Sequence, residues 1–194
     1  TISNAGRNTA IGYLALTANT TGTDNTANGS YTLYSNTTGN YNTANGVSSI
    51  RQNTTGIYNV SSGFNSLYFN TTGGYNTTSG GHSLQYNTTG AGNTGLGFYV
   101  GIGNATTPDQ RSVIDNYMTF IGYQASRDSS IASTTALANG TAIGKNARVA
   151  QSNSIILGGT GSDAVNVGIG TTSAFAKLSL QNTFGSLTPL FDIA

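Results

Sequence analysis

N-T-A-I-G-Y-L-A-L-T-A-N-T-T-G-T-D (8–24) is followed without a gap by N-T-A-N-G-S-Y-T-L-Y-S-N-T-T-G-N-Y (25–41). The frame persists. Asn8, Asn25, Asn42, Asn59, Asn76 and Asn93 open successive units, and Gly12, Gly29, Gly46, Gly63, Gly80 and Gly97 follow each at the same phase. Leu16, Leu33, Ile50, Leu67 and Leu84 keep a large aliphatic at one position, and an N-T-T-G tetrapeptide begins at Asn19, Asn36, Asn53, Asn70 and Asn87. Tyr41, Tyr58 and Tyr75 stand just before the next leading Asn, where the first unit has Asp24. A fixed period with this many columns in phase is the signature of a stacked-repeat architecture.

Each column has a physical reading. A Gly at constant phase predicts positive φ or a backbone pressed against its neighbour. N-T-T-G reads as a turn, because Asn and Gly tolerate left-handed backbone and Thr hydroxyls bond nearby amides. The aliphatic column reads as core. No 3.6-residue apolar period survives and Gly interrupts every unit, which excludes helix. The expected fold is an all-β parallel β-roll or β-solenoid, each coil holding two strands of about five residues and two turns. Stacked coils would align like residues, so that Asn and Thr ladders satisfy their own side-chain hydrogen bonds. One aliphatic and one or two small residues per coil make a thin core. The expectation is therefore burial shared between chains, in a homotrimer wound around one axis.

The period breaks after Gly103 and resumes shorter. T-F-I-G-Y-Q-A (119–125), T-A-I-G-K-N-A (141–147) and S-I-I-L-G-G (154–159) share a small-apolar-apolar-Gly core. The expected organisation is a 17-residue-repeat solenoid over 1–103, an irregular loop or insertion over 104–118, shorter-period repeats over 119–170, and an apolar segment over 171–194. That last segment reads as leading to a further domain or an interface. The chain opens on Thr1 rather than Met, which reads as a fragment or a processed product.

Composition narrows the function classes. Charged residues make up 7%, the net charge is +1, and there are 11 Tyr, 7 Phe and no Cys. Such a charge leaves no electrostatic footprint for nucleic acid. The apolar runs are too short to insert in a membrane, and thiolate metal sites and disulfides are excluded. His82 is the sole His and stands in a variable column with Leu14, Tyr31, Ser48, Asn65 and Tyr99. It reads as a surface residue rather than a catalytic base. The Asp residues are scattered; Asp109 and Asp115 flank one loop but make a poor Ca²⁺ ligand set. G-L-G-F-Y-V-G-I-G (95–103) lacks the βαβ context of a dinucleotide loop. The abundant Asn-X-Ser/Thr sequons read as turn residues rather than glycosylation sites. The expectation is a non-enzyme without cofactor or metal.

T-A-I-G-K-N-A-R-V-A-Q-S-N-S-I-I-L-G (141–158) is similar to the head repeats of trimeric autotransporter adhesins of the YadA-like type. The 17-residue units resemble longer repeats in bacterial and phage-like fibre proteins. N-V-G-I-G-T-T-S-A-F-A-K-L-S-L (166–180) resembles the motif preceding an endosialidase-type intramolecular chaperone in such fibres. The resemblance implies a left-handed β-roll, a tight homotrimer and surface attachment, although 17 residues exceed the 14 of the adhesin head unit.

The function expected is a structural segment of a homotrimeric extracellular surface fibre or adhesin, both spacer and multivalent attachment surface. Its partners would be its own copies and a cell-surface glycan or protein receptor. The alternatives are a phage or virus-like tail fibre, or a glycan- or ice-binding solenoid. The candidate ligand surface is the Tyr41, Tyr58, Tyr75 column, which could stack on sugars, or the hydroxyl column of Thr20, Thr37, Thr54, Thr71 and Thr88.

Overall fold

A computed structural model describes residues 6–102, 114–132 and 134–159. Its strands are β1 (Thr9–Ile11), β2 (Thr26–Asn28), β3 (Thr43–Asn45), β4 (Val60–Ser62), β5 (Thr77–Ser79), β6 (Thr94–Leu96), β7 (Thr119–Ile121), β8 (Ser126–Arg127), β9 (Thr141–Ile143), β10 (Arg148–Val149) and β11 (Ile155–Leu157). β1 to β7, β9 and β11 form one nine-stranded parallel sheet, and β8 pairs with β10 in parallel. Parallel neighbours require a long return connection. Here the rest of each coil supplies it, which makes the chain a β-solenoid.

Register follows the repeat. Thr9, Thr26, Thr43, Val60, Thr77 and Thr94 are partners in succession. The sheet then crosses the change of period: Thr94 pairs with Thr119, Thr119 with Thr141, and Thr141 with Ile155. The glycine column carries this continuity. Gly12, Gly29, Gly46, Gly63, Gly80, Gly97, Gly122 and Gly144 all have φ between 115° and 139°. A Cβ on Gly46 would lie 2.8 Å from the carbonyl oxygen of Gly63. Both reasons for glycine, positive φ and close approach, therefore hold at once.

The coil differs from the expected pair of roughly five-residue strands. Each 17-residue coil has one three-residue strand. The second expected strand is broken by left-handed residues: Leu16, Leu33, Ile50, Leu67 and Leu84 have φ between 47° and 54°. This segment still bonds coil to coil, with the Leu33 amide donating to Ser49 O at 3.1 Å and Ile50 to Ser66 O at 2.9 Å. The unusual φ turns the aliphatic side chain inward, and all five are buried.

The core is one large side chain thick, and it adjusts coil by coil. Ala27 and Ala44 lie buried at the strand centre. In the next coils Ser61 and Thr78 take that place, and a hydroxyl chain satisfies them. Ser49 Oγ donates to Ser61 Oγ at 2.9 Å, Thr78 Oγ1 donates to Ser61 Oγ at 2.9 Å, and Ser66 and Thr78 share a bond of 2.7 Å. Gly95 takes the place one coil later, where Ser83 Oγ, Leu84 and Val100 lie 2.6–3.1 Å from where a Cβ would be. Phe120 then fills it, fully buried.

Two buried asparagine ladders run along the coils. In one, the side-chain amides of Asn36, Asn53, Asn70 and Asn87 each donate to Oδ1 of the preceding member, at 2.7–3.0 Å. In the other, Asn42, Asn59 and Asn76 do the same at 3.0–3.1 Å. Oδ1 of Asn25, Asn42 and Asn59 also accepts the backbone amide of the next ladder member. Both ladders converge on the N-T-T-G glycine, whose carbonyl accepts one amide from each; Gly56 O receives Asn53 at 3.0 Å and Asn42 at 2.9 Å. This corrects the reading of N-T-T-G as left-handed: neither its Asn nor its Gly has positive φ. The Gly is required because a Cβ at Gly56 would lie 2.4 Å from both Asn53 Oδ1 and Gly73 O.

Beyond β7 a buried ion pair organises the longer coil. Arg127 is fully buried; its Nη1 donates to Asp115 Oδ1 at 3.0 Å, and Nη2 donates to Ala132 O and Thr135 O at 3.0 and 2.9 Å. Asp115 Oδ1 also accepts the Leu137 amide at 2.8 Å. The 166–180 motif, the 171–194 tail, Asp109 and most of the 104–118 loop lie outside the described residues.

Candidate functional site

The tyrosine column is held by the backbone. Tyr41, Tyr58 and Tyr75 have φ of 58°, 55° and 60°. Their amides donate to Thr23 O, Asn40 O and Ile57 O of the preceding coil at 3.1, 3.1 and 3.0 Å. Three identical conformations one coil apart project three rings in parallel. Tyr41 and Tyr58 stack with centroids 4.7 Å apart and planes within 8°; Tyr58 and Tyr75 stack at 5.2 Å and 14°. The rings remain 45–61% exposed.

This geometry changes what the column offers. Sugar stacking uses an open ring face, and both faces of Tyr58 are covered by its neighbours. Tyr58 presents its ring edges and hydroxyl to solvent, while Tyr41 and Tyr75 are each stacked on one face only. It is also bounded. In the first coil its place is taken by Asp24, whose carboxylate accepts from Arg7 Nε at 2.6 Å. The Arg7 bond, then a bond from the Thr23 hydroxyl, holds the Asp24 carboxyl below the usual carboxylate range. In the fifth coil its place is Gly92, where a Cβ would lie 2.6 Å from the Tyr117 ring.

The threonine columns divide. The first Thr of each pair spends its hydroxyl on the adjacent coil: Thr20, Thr37, Thr54 and Thr71 donate to Thr37 O, Thr54 O, Thr71 O and Thr88 O at 2.9–3.1 Å. Thr88 is half-buried. Thr21, Thr38, Thr55, Thr72 and Thr89, the second of each pair, are all exposed, whereas in the first column only Thr20 is. A two-column hydroxyl array is therefore not what faces solvent.

A complementary side-chain group that the sequence reading missed lies in the column of Tyr34, Arg51 and Tyr68. Arg51 lies between Tyr34 and Tyr68, its neighbours in the same column, with its guanidinium carbon 5.6 and 5.4 Å from their ring centroids. Tyr31 lies 5.0 Å away, and Arg51 donates to the Tyr68 hydroxyl. This cation–π cluster was legible as a Tyr-Arg-Tyr run at the repeat spacing. His82 is half-buried rather than free on the surface. It stacks on Tyr99 at 4.6 Å, meets Phe64 and Phe98 edge-on, and bonds Gln85 through Nδ1.

The outer face of the sheet is apolar at intervals. Ile11, Val60, Leu96, Ile143, Ile155 and Leu157 are exposed on its strands, with Tyr13, Val47, Phe64, Phe98 and Tyr123 beside them. Among the described residues no group of three His, Cys, Asp or Glu side chains could hold a metal ion, and no helix is long and apolar enough to cross a membrane. No family model, curated protein or solved structure matches the chain.

Proposed function

We propose that this chain is a rigid segment of a homotrimeric extracellular fibre, serving as spacer and as a repeated attachment surface. The exposed apolar side chains clustered on the outer face toward the C-terminal coils (Leu96, Phe98, Tyr123, Ile143, Ile155 and Leu157) carry the reading. Monomeric proteins seldom leave large contiguous apolar patches uncovered, and here the coil interior is too thin to take more of these side chains. Three copies around one axis, as left-handed rolls, would cover the face symmetrically. The similarity of 141–158 to adhesin head repeats favours three copies over two. The solenoid suits the task of a spacer, since every coil rests on its neighbours and length grows by adding coils. Attachment would come from weak contacts multiplied along three chains, with a cell-surface glycan or protein as receptor.

The glycan reading and the ice reading have less support. Stacked tyrosines leave no open face on Tyr58, and the first Thr column has spent its hydroxyls. Sedimentation equilibrium of the purified chain tests the proposal. Three times the chain mass at micromolar concentration is expected, as is dissociation by Leu96→Asp combined with Ile143→Asp. A monomer at every concentration overturns the trimer.

A further inference from the structure

We propose that Tyr41, Tyr58 and Tyr75 form a site of oxidative cross-linking, at which a one-electron oxidant couples neighbouring rings into dityrosine within one chain. Coupling of two phenoxyl radicals needs two phenols close together, exposed to the oxidant and able to meet at the carbons ortho to oxygen. Tyr41 and Tyr58 lie 4.7 Å apart by centroid with nearly parallel planes, and Tyr58 and Tyr75 lie 5.2 Å apart. Near-parallel stacking one coil apart leaves only a short movement of the exposed side chains to bring the ortho carbons of neighbouring rings together. The rings are about half exposed, so the side chains can swing to close the bond.

The other tyrosine pairs are less suited. Tyr13 and Tyr31 meet edge-on at 84°, and Tyr31 and Tyr34 at 63°. Tyr31 and Tyr34 also lie 5.0 and 5.6 Å from the Arg51 guanidinium. A cation at that distance makes an electron harder to remove from the ring. In the ladder each ring's nearest phenol belongs to the next coil, so a radical on one ring meets a phenol of its own chain before that of a second molecule.

The step balances. Each phenol loses one electron and one proton to give a phenoxyl radical. The two radicals form a carbon–carbon bond between ortho carbons, and each coupled carbon then releases its hydrogen while the oxygen regains one. The net loss is two electrons and two protons, which reduce one hydrogen peroxide to two waters when a haem peroxidase carries the electrons.

The test treats the purified chain with a haem peroxidase and hydrogen peroxide, then resolves it on a denaturing gel. Dityrosine fluorescence is expected in the band of single-chain mobility, with a mass lower by two hydrogens. Trypsin can cut after Arg51, between Tyr41 and Tyr58. A Tyr41–Tyr58 bond therefore joins peptides 8–51 and 52–111, whereas a Tyr58–Tyr75 bond lies within the second. Tyr58→Phe retains the stacked ring but cannot form a phenoxyl, and should lower the single-chain fluorescence several-fold. Tyr13→Phe should leave it unchanged. Equal fluorescence in Tyr58→Phe, or cross-links that map to other tyrosines or only between chains, overturns the proposal.

Discussion

Replacing Asn53 with Ala tests whether the buried amide ladder holds the coils in register. Asn53 is fully buried. Its amide donates to Asn36 Oδ1 at 2.7 Å and Gly56 O at 3.0 Å, and its Oδ1 accepts from Asn70 at 2.9 Å. Three such bonds contribute about 0.5–1.5 kcal/mol each. What remains decides the total. Gly56 O keeps its bond from Asn42, and Asn70 keeps its bond to Gly73 O. Asn36 Oδ1 loses its donor and one N–H of Asn70 loses its acceptor, and a stranded buried polar group costs about 1–3 kcal/mol. The expected loss is about 4 kcal/mol, read as a lower urea midpoint by far-ultraviolet circular dichroism at one fixed protein concentration. Asn53→Asp has nearly the same volume but no donors, and its carboxylate would face Asn36 Oδ1 and Gly56 O. It should cost at least as much as Ala. Thr55→Ala, at an exposed position in the same turn, should stay within about 0.5 kcal/mol of the parent. A loss below about 1 kcal/mol for Asn53→Ala, or Asp better tolerated than Ala, would refute the ladder's role and leave simple packing.

Other outcomes follow from the same geometry. Ile50→Leu should raise stability, read as a higher urea midpoint, by about 0.5–1 kcal/mol, because a β-branched residue is poorly suited to φ of 48° and the other four coils carry Leu there. Gly56→Ala should cost more than about 3 kcal/mol, since its Cβ would meet two oxygens at 2.4 Å. Asp115→Asn should cost about 3–5 kcal/mol by stranding the buried Arg127 charge, and the double variant Asp115→Leu with Arg127→Met should be less harmful; thermal melts rank the two. Asp24 is held below the usual carboxylate range by Arg7. Its contribution is therefore present above the unfolded-state pKa and is lost as pH falls through the lower folded value. Arg7→Ala should move the Asp24 titration, followed by carboxyl NMR, up toward the ordinary range, with the Thr23 bond still holding it somewhat low, while the melting midpoint at pH 7 stays nearly unchanged because the Arg7 partner is exposed.

Much of the architecture was legible in one dimension. A period of 17 with Asn, Gly and aliphatic columns in phase requires that like residues stack, and stacking requires parallel coils. The glycine at Gly46 and its equivalents follows from that alone, because identical coils must approach backbone to backbone somewhere. Burial of Leu33 and its column follows too, since each coil has one large aliphatic at constant phase.

The direction in which each column points was settled only by the folded coil. Local propensity assigns left-handed backbone to Asn and Gly. The coil instead places Leu16, Ile50, Tyr41 and Tyr58 there, and keeps Asn53 and Gly56 out of it. Hydrogen bonding between coils outweighs the preference of any one residue, because each bond is repeated along the stack. That choice turns asparagines inward as ladders, closes the faces of Tyr58, and spends the hydroxyl of Thr54 on Thr71 O. The Arg127–Asp115 pair belongs to no column and joins residues on different elements, so no period announces it. Repetition in the sequence thus determined which residues stand above one another, and only the tertiary structure decided which of those stacks face the core, the neighbouring coil or the solvent.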